Sequence, residues 1–275
     1  MVTSSPQPLR RPSRARKGLL AAIVVMMAYC LLAYALLPWA WTHYEHQPGL
    51  QDKPMVTRTA QGIPGDPLNV GLVGSREDVV RAILAAGWSP ADPITLRTSL
   101  EIAGSVLLDR PYRDAPVSPL FYLGGREDLA YEKEVGPSAD RRHHVRLWKT
   151  LDSGSEGRPV WLGSVTFDRG AGVSRYTGQV THHIAPNLDA ERDGLIDDLS
   201  QAGMVTTTYQ VSGIGPTLNG RNGEGDPYYT DGEIDVAVLV EGGRKHEQVP
   251  TALASSGLVT LKDAIWHSAV VGSED

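Results

Sequence analysis

Arg141-Arg142-His143-His144-Val145-Arg146-Leu147-Trp148 is the stretch on which the fold turns. In a strand, successive side chains point to opposite faces. His144, Arg146 and Trp148 therefore share one face, and His143, Val145 and Leu147 share the other. The same β character covers residues 120–123, 130–135, 143–150, 159–167 and 174–184, short runs separated by Gly, Pro and polar residues.

Outward from this block, helices appear. Residues 68–73 read as a strand that stops at Gly74. Ser75 is an N-cap with Asp78 three residues on, ahead of Val79, Val80, Ile83 and Leu84 at helical spacing, and Gly87 ends the helix. A second helix is expected over 94–108 and a third over 190–201, with Gly203 as its stop. Strands are expected over 205–211 and 233–240, and a closing helix or strand over 258–267. The expected class is α+β, a mixed, largely antiparallel sheet with several helices. Shifted by 116 residues, Val79, Val80, Ile83 and Gly87 fall on Leu195, Ile196, Leu199 and Gly203. Two related halves would give this echo, and so would any two amphipathic helices with a Gly stop.

Near the N-terminus, residues 19–37 (LLAAIVVMMAYCLLAYALL) carry no charged side chain. At about 1.5 Å per residue they cover roughly 28 Å, close to the ~30 Å of bilayer hydrocarbon. Arg10, Arg11, Arg14, Arg16 and Lys17 precede the run, and Trp39, Trp41 and Tyr44 follow it. The expectation is a single transmembrane helix in the cell (inner) membrane, N-terminus cytoplasmic, with the C-terminal domain extracytoplasmic. Ala33-Tyr34-Ala35 has the small-x-small form of a signal-peptide cleavage site. However, Leu36-Leu37-Pro38-Trp39 continues the apolar block, and the run exceeds the ~7–15 residues of a signal h-region, which favours a retained anchor. The expected organisation is a basic cytoplasmic tail (1–17), an anchor (18–41), a Pro-interrupted linker (42–65) and one extracytoplasmic domain (66–275).

Beyond residue 41 the chain holds 21 basic and 32 acidic residues, a net of −11. Such a balance repels phosphate backbones, so no nucleic-acid partner is expected. An anionic lipid surface is repelled too, except where Arg residues cluster. Cys30 is the only cysteine and lies in the apolar run, so no intramolecular disulfide forms.

Two polar clusters could carry chemistry. In Gln179-Val180-Thr181-His182-His183-Ile184, alternation sets Gln179, Thr181 and His183 on a polar face, with Val180, His182 and Ile184 on an apolar one. If this strand neighbours the 141–148 block, His144 and His183 meet beside Arg146. That pair is compatible with a divalent metal on His144 and His183, with acid–base work, or with phosphate binding. The spacing does not choose among them, and no HExxH, CxxC or Gly-x-Ser-x-Gly motif is present. Core histidines and cross-strand partners would read the same way. The second cluster is the Gly-rich loop at 213–232, where Arg221, Asn222 and Asp226 join glycines that let the backbone approach a ligand. A long hairpin tip with Asn-Gly and Asp-Gly turns is the ordinary alternative. Ser118 has no base beside it in sequence. Asp168, with Asp189, Glu191, Asp193, Asp197 and Asp198, reads as a solvated face.

Taken together, Asp66-Pro67-Leu68-Asn69, Ala86-Gly87-Trp88, Arg110-Pro111-Tyr112, Arg142-His143-His144-Val145-Arg146-Leu147-Trp148, Thr177-Gly178-Gln179-Val180-Thr181-His182-His183-Ile184 and Gly220-Arg221-Asn222-Gly223 resemble the LssY C-terminal domain family. The resemblance implies a bacterial cell-envelope setting, in which some relatives are fused to multi-pass membrane proteins of the DedA and PAP2 phosphatase kinds. This chain departs from those in having one span and no phosphatase motif, so no reaction transfers. The expected function is a membrane-anchored accessory or ligand-binding module in envelope lipid processes. Its expected binding residues are Arg142, His144, Arg146, Gln179, Thr181, His183, Arg221, Asn222 and Asp226. The expected partners are the membrane, a lipid or phosphate-bearing ligand, and a multi-pass membrane protein. The alternative is a His- or metal-dependent hydrolase acting on a phosphorylated or lipid-linked substrate. The sequence holds no complete catalytic constellation, so no enzyme class is assigned.

Overall fold

The structure, a computed structural model, describes residues 14–37, 39, 46–51, 53–91, 95–97, 100, 119–136, 141–178, 180–211 and 219–271. It divides into two units, Met1–His43 and Tyr44–Asp275. In the first, helix α1 (Arg14–Leu31) continues into a π-helical turn at Leu32–Leu36, and none of its side chains is buried. By length and composition, the 23 residues Arg14–Leu36 are able to cross a membrane.

The second unit is built on a nine-stranded sheet. Neighbour by neighbour it runs through β15 (Thr251–Ala252), β11 (Val205–Val211), β14 (Ile234–Leu239), β3 (Val70–Val73), β9 (Val160–Val173), β8 (Arg142–Leu151), β7 (Leu129–Glu134) and β4 (Ser89–Pro90). Strand β10 (Val180–Ile184) adds to the far half of β9. Strand β14 runs parallel to β3 and β15 parallel to β11; the remaining pairs are antiparallel. A smaller sheet holds β1 (Val56–Thr59), β2 (Pro64–Pro67), β5 (Leu120–Tyr122) and β6 (Gly125–Arg126). Strands β12 (Asn219–Arg221) and β13 (Pro227–Tyr229) form a separate hairpin. Helices α2 (Arg76–Ala85), α3 (Leu188–Gln201) and α4 (Gly257–Val271) complete an α+β unit.

The two faces of the large sheet are covered differently. On one, α2 and α3 pack over Leu72, Val145, Leu147, Trp161 and Val165. On the other, Trp148, Leu162 and Val236 meet Leu50, Met55, Leu120 and Tyr122. Each such side chain contributes about 1.5–3 kcal/mol when fully buried. Local signals set the helix ends. Ser75 Oγ accepts from Asp78 N–H at 3.1 Å while the Asp78 carboxylate accepts from Ser75 N–H at 3.2 Å, a capping box. Helices α2 and α3 stop alike: Trp88 N–H donates to Ile83 O, and Met204 N–H to Leu199 O, around Gly87 and Gly203 at positive φ. The 116-residue echo coincides with this shared stop.

The segment expected as a linker departs most from the sequence reading. Gln47, Leu50 and Thr57 are fully buried, and β1 and β2 are paired strands. Gln47 Nε2 donates to Tyr209 OH and to Glu156 Oε2, each at 2.5 Å, and its Oε1 accepts from Ser155 N–H at 3.0 Å. Polar composition suggested a stalk because these polar side chains are satisfied inside the fold. Pro64 and Pro67 fit because β2 is an edge strand, where a missing N–H removes no ladder bond. Most of the helix expected at 94–108, the stretch 110–118 with Ser118, Gln179 and the start of the Gly-rich loop lie outside the described residues.

Candidate functional site

Strand β8 carries its alternation into its neighbours. Glu132 of β7 and Thr166 of β9 stand opposite His144, and Asp168 stands opposite Arg142. A sheet face that elsewhere buries Trp148 and Leu162 is therefore polar here. Arg142 donates from Nη1 to Glu132 at 2.9 Å and from Nε to Asp168 at 3.3 Å. Arg146 Nη1 lies 3.4 Å from Asp66 Oδ2 on β2. Between the two guanidinium groups sits His144, 1 % exposed, whose Nε2 has no hydrogen-bond partner among the described residues. Burial first, then Arg146, Arg142 and His182, hold its pKa well below the usual histidine range, so the ring is neutral.

The β12–β13 hairpin closes over this wall. Its turn is knotted on Asn222, whose Oδ1 accepts the N–H groups of Glu224 (3.1 Å) and Asp226 (2.9 Å) and whose Nδ2 donates to Asp66 Oδ1 at 3.1 Å. Gly223 lies flush on β2: a Cβ there would come within 2.5 Å of Thr59 Cγ2 and 3.3 Å of the Gly65 Cα. Asp226 accepts from Ile184 N–H at 3.0 Å and pairs with His183 Nδ1 at 2.7 Å. Hairpin, β2 and β10 thus enclose a cavity of about 390 Å³, with Asp66, Arg146, Thr166, Asp168, His182 and Asn222 among its lining.

Strand β10 meets β9 through a bulge. His183 pairs with Gly170 but Ile184 pairs with Asp168, so Arg169 is an extra residue on β9. Ile184, and His182 two residues away, therefore take the face of Asp168. The expected meeting of His144 and His183 does not occur: β9 lies between β8 and β10, and His183 turns to Asp226 with its ring over Gly172, where a Cβ would overlap the imidazole. Of the other expected residues, Arg146, Thr181 and Asn222 line the cavity, and Arg142 and His144 stand behind it. Asp226 braces its rim. Arg221 is exposed and donates to Gly225 O at 2.7 Å within its own turn. Asp66, Thr166, Asp168, His182 and Glu224 were not anticipated. The spacing Ser164, Thr166, Asp168 on one strand face was the available signal.

A family model described as LssY C-terminus matches residues 47–234. The chain belongs to the LssY C-terminal domain family. No curated protein and no solved structure matches it. In this LssY C-terminal domain the match begins at the clasped Gln47 and takes in every strand that walls the cavity.

Charge in the domain's cavity is weighted toward carboxylates. Among the described residues, Asp66, Asp168 and Glu224 line it against the single guanidinium of Arg146, since Arg142 is already shared between Glu132 and Asp168. Burial raises the Asp66 pKa, opposed by Arg146 and Asn222 and reinforced by Asp168 and Glu224. Burial likewise raises Glu132. Among the described residues, no group of three or more His, Cys, Asp or Glu side chains is arranged to hold a metal ion. Among the described residues, two His–carboxylate pairs, His143–Glu191 at 2.6 Å and His183–Asp226, do not line the cavity. A further cluster binds buried Arg192 to Asp189, Asp231 and Asp235 and to the exposed Asp193, and burial pushes Asp235 up to about 7. It ties α3 to β14 and to the segment that leads into it.

Proposed function

We propose that this chain is a membrane-anchored binding module whose LssY C-terminal domain stands outside the cytoplasm and holds an uncharged, hydroxyl-rich headgroup between Asp66, Arg146 and Asp168. The apolar helix α1 and the five basic residues before and within its first turn support the anchor and its orientation. The observation that carries the binding site is a set of charged side chains kept buried beside open space. Burying such groups costs stability that an apolar lining would not, and those kept beside open space are within reach of a ligand's polar groups. A hydroxyl group donates to a carboxylate and accepts from Arg146 or Asn222 in the same position. A phosphate group would instead face three carboxylates across one guanidinium, so hydroxyl-bearing ligands fit better than phosphate-bearing ones.

Saturation-transfer NMR on the whole chain in detergent micelles tests this, with methyl pyranosides, inositol and inorganic phosphate as probes. Saturable contact with a hydroxyl-rich probe, weakened at least tenfold by Asp168→Asn (about 1.4 kcal/mol), is the expected result. Phosphate binding alone, or no contact with any probe, would sink the reading.

A further inference from the structure

The β9–β10 hairpin projects past the sheet. Strand β8 pairs with β9 only as far as Arg142 opposite Asp168, and beyond that point the registers of β9 are with β10. Within its turn, Ser174 Oγ accepts from the N–H groups of Tyr176 (3.3 Å) and Thr177 (3.2 Å), and Ser174 O accepts from Gly178 N–H at 3.0 Å. A second brace ties the tip to the β12–β13 hairpin, through Arg175 N–H to Glu224 O at 2.9 Å. Yet the described residues of this tip present apolar side chains to solvent. Val180 is 82 % exposed, its cross-strand partner Val173 58 % and Tyr176 53 %. Arg169 and Arg175 are exposed beside them, and no Asp or Glu occurs from residue 169 to residue 188. In a domain of net negative charge, this stretch is locally basic.

We infer that this tip docks into an anionic lipid surface and so presents the cavity to ligands held in the bilayer. Aliphatic and tyrosyl side chains flanked by arginines are the composition that settles at a headgroup boundary, with the guanidinium groups on anionic heads and the apolar groups below. The tip also continues into the binding site. Val180, His182 and Ile184 alternate on one face of β10, from the exposed tip inward, and all three line the cavity. An amphiphile with its tail among the lipids at Val180 would place its headgroup against Asp66, Arg146 and Asp168. The inference rests on the anchored binding module proposed above and specifies that its ligand is a membrane lipid.

The test uses the whole chain with Cys30→Ser, reconstituted into vesicles of three parts phosphatidylcholine to one part phosphatidylglycerol. Single cysteines replace Val173 or Val180 at the tip, with Val249 (88 % exposed) and Leu261 on α4 as controls. Each is labelled with an environment-sensitive fluorophore, and quenching by spin-labelled lipid is measured. Labels at 173 and 180 should be quenched several-fold more than at 249, and Arg169→Glu should reduce the difference. Tip labels as aqueous as the label at 249, or preferential quenching at 261, would overturn the inference and leave the cavity reading intact. A chain that fails to float with the vesicles would overturn the anchor as well. Quenched tip labels without any hydroxyl-rich ligand in the cavity would sustain the docking surface while removing the headgroup assignment.

Discussion

His144 concentrates the electrostatics of the site in one side chain. Its folded pKa lies well below the ~6.5 of an unfolded histidine, so between those values the unfolded chain binds a proton that the native state refuses. The resulting stability is fully present above pH 6.5 and is lost as pH falls below it, by up to ~1.4 kcal/mol per pH unit. Denaturant midpoints measured from pH 7 to 5 should fall more steeply for the natural chain than for His144→Gln; equal slopes would mean that this ring is not what acid attacks. Alternation alone placed His144, Arg146 and Trp148 on a common face. Asp66 could not be found that way, because it reaches Arg146 across 80 positions of sequence and its own neighbours read as the end of a linker.

At the level of elements, the caps were legible and the joints between strands were not. Ser75 with Asp78, and Gly87 and Gly203 as stops, are local patterns of a few residues, and the structure realises each of them. The extra residue at Arg169 has no comparable signature, and it decides that His182 rather than His183 turns toward the cavity. The β12–β13 hairpin depends on an equally local fact, the absence of a side chain at residue 223. Gly223→Ala would drive a methyl group into Thr59 and β2 and lengthen the Asn222–Asp66 bond, at a cost of roughly 1–3 kcal/mol. Hydrogen exchange should quicken at the amides of Glu224, Asp226 and Ile184, which the turn secures. Adding Thr59→Ser removes the nearest clashing methyl and should restore much of the protection. A double variant as loose as the single one would point to another cause.

For the molecule as a whole, the decisive joint is where the chain enters the folded unit. Gln47 is buried against Tyr209, Glu156 and Ser155, and the Tyr209 hydroxyl in turn donates to Glu156 at 2.7 Å. Truncating the amide leaves buried partners unsatisfied, so Gln47→Ala should cost about 1–3 kcal/mol. A fragment beginning at Pro48 should show the same loss by denaturant titration, whereas one beginning at Tyr44 should match the whole chain. Equal stability of all three would show that the clasp contributes nothing. Composition gave the division between apolar leader and acidic domain, because charge and length are sums over many residues. It gave the boundary of the domain poorly, because one glutamine inside the fold reads in sequence like any glutamine outside it. The same clasp has a mechanical side: any pull on the chain ahead of residue 47 arrives first at an amide wedged between the β8–β9 turn and a sheet strand. Such a pull meets the β8–β9 turn and β11 before it reaches β1 and β2, which help to wall the cavity.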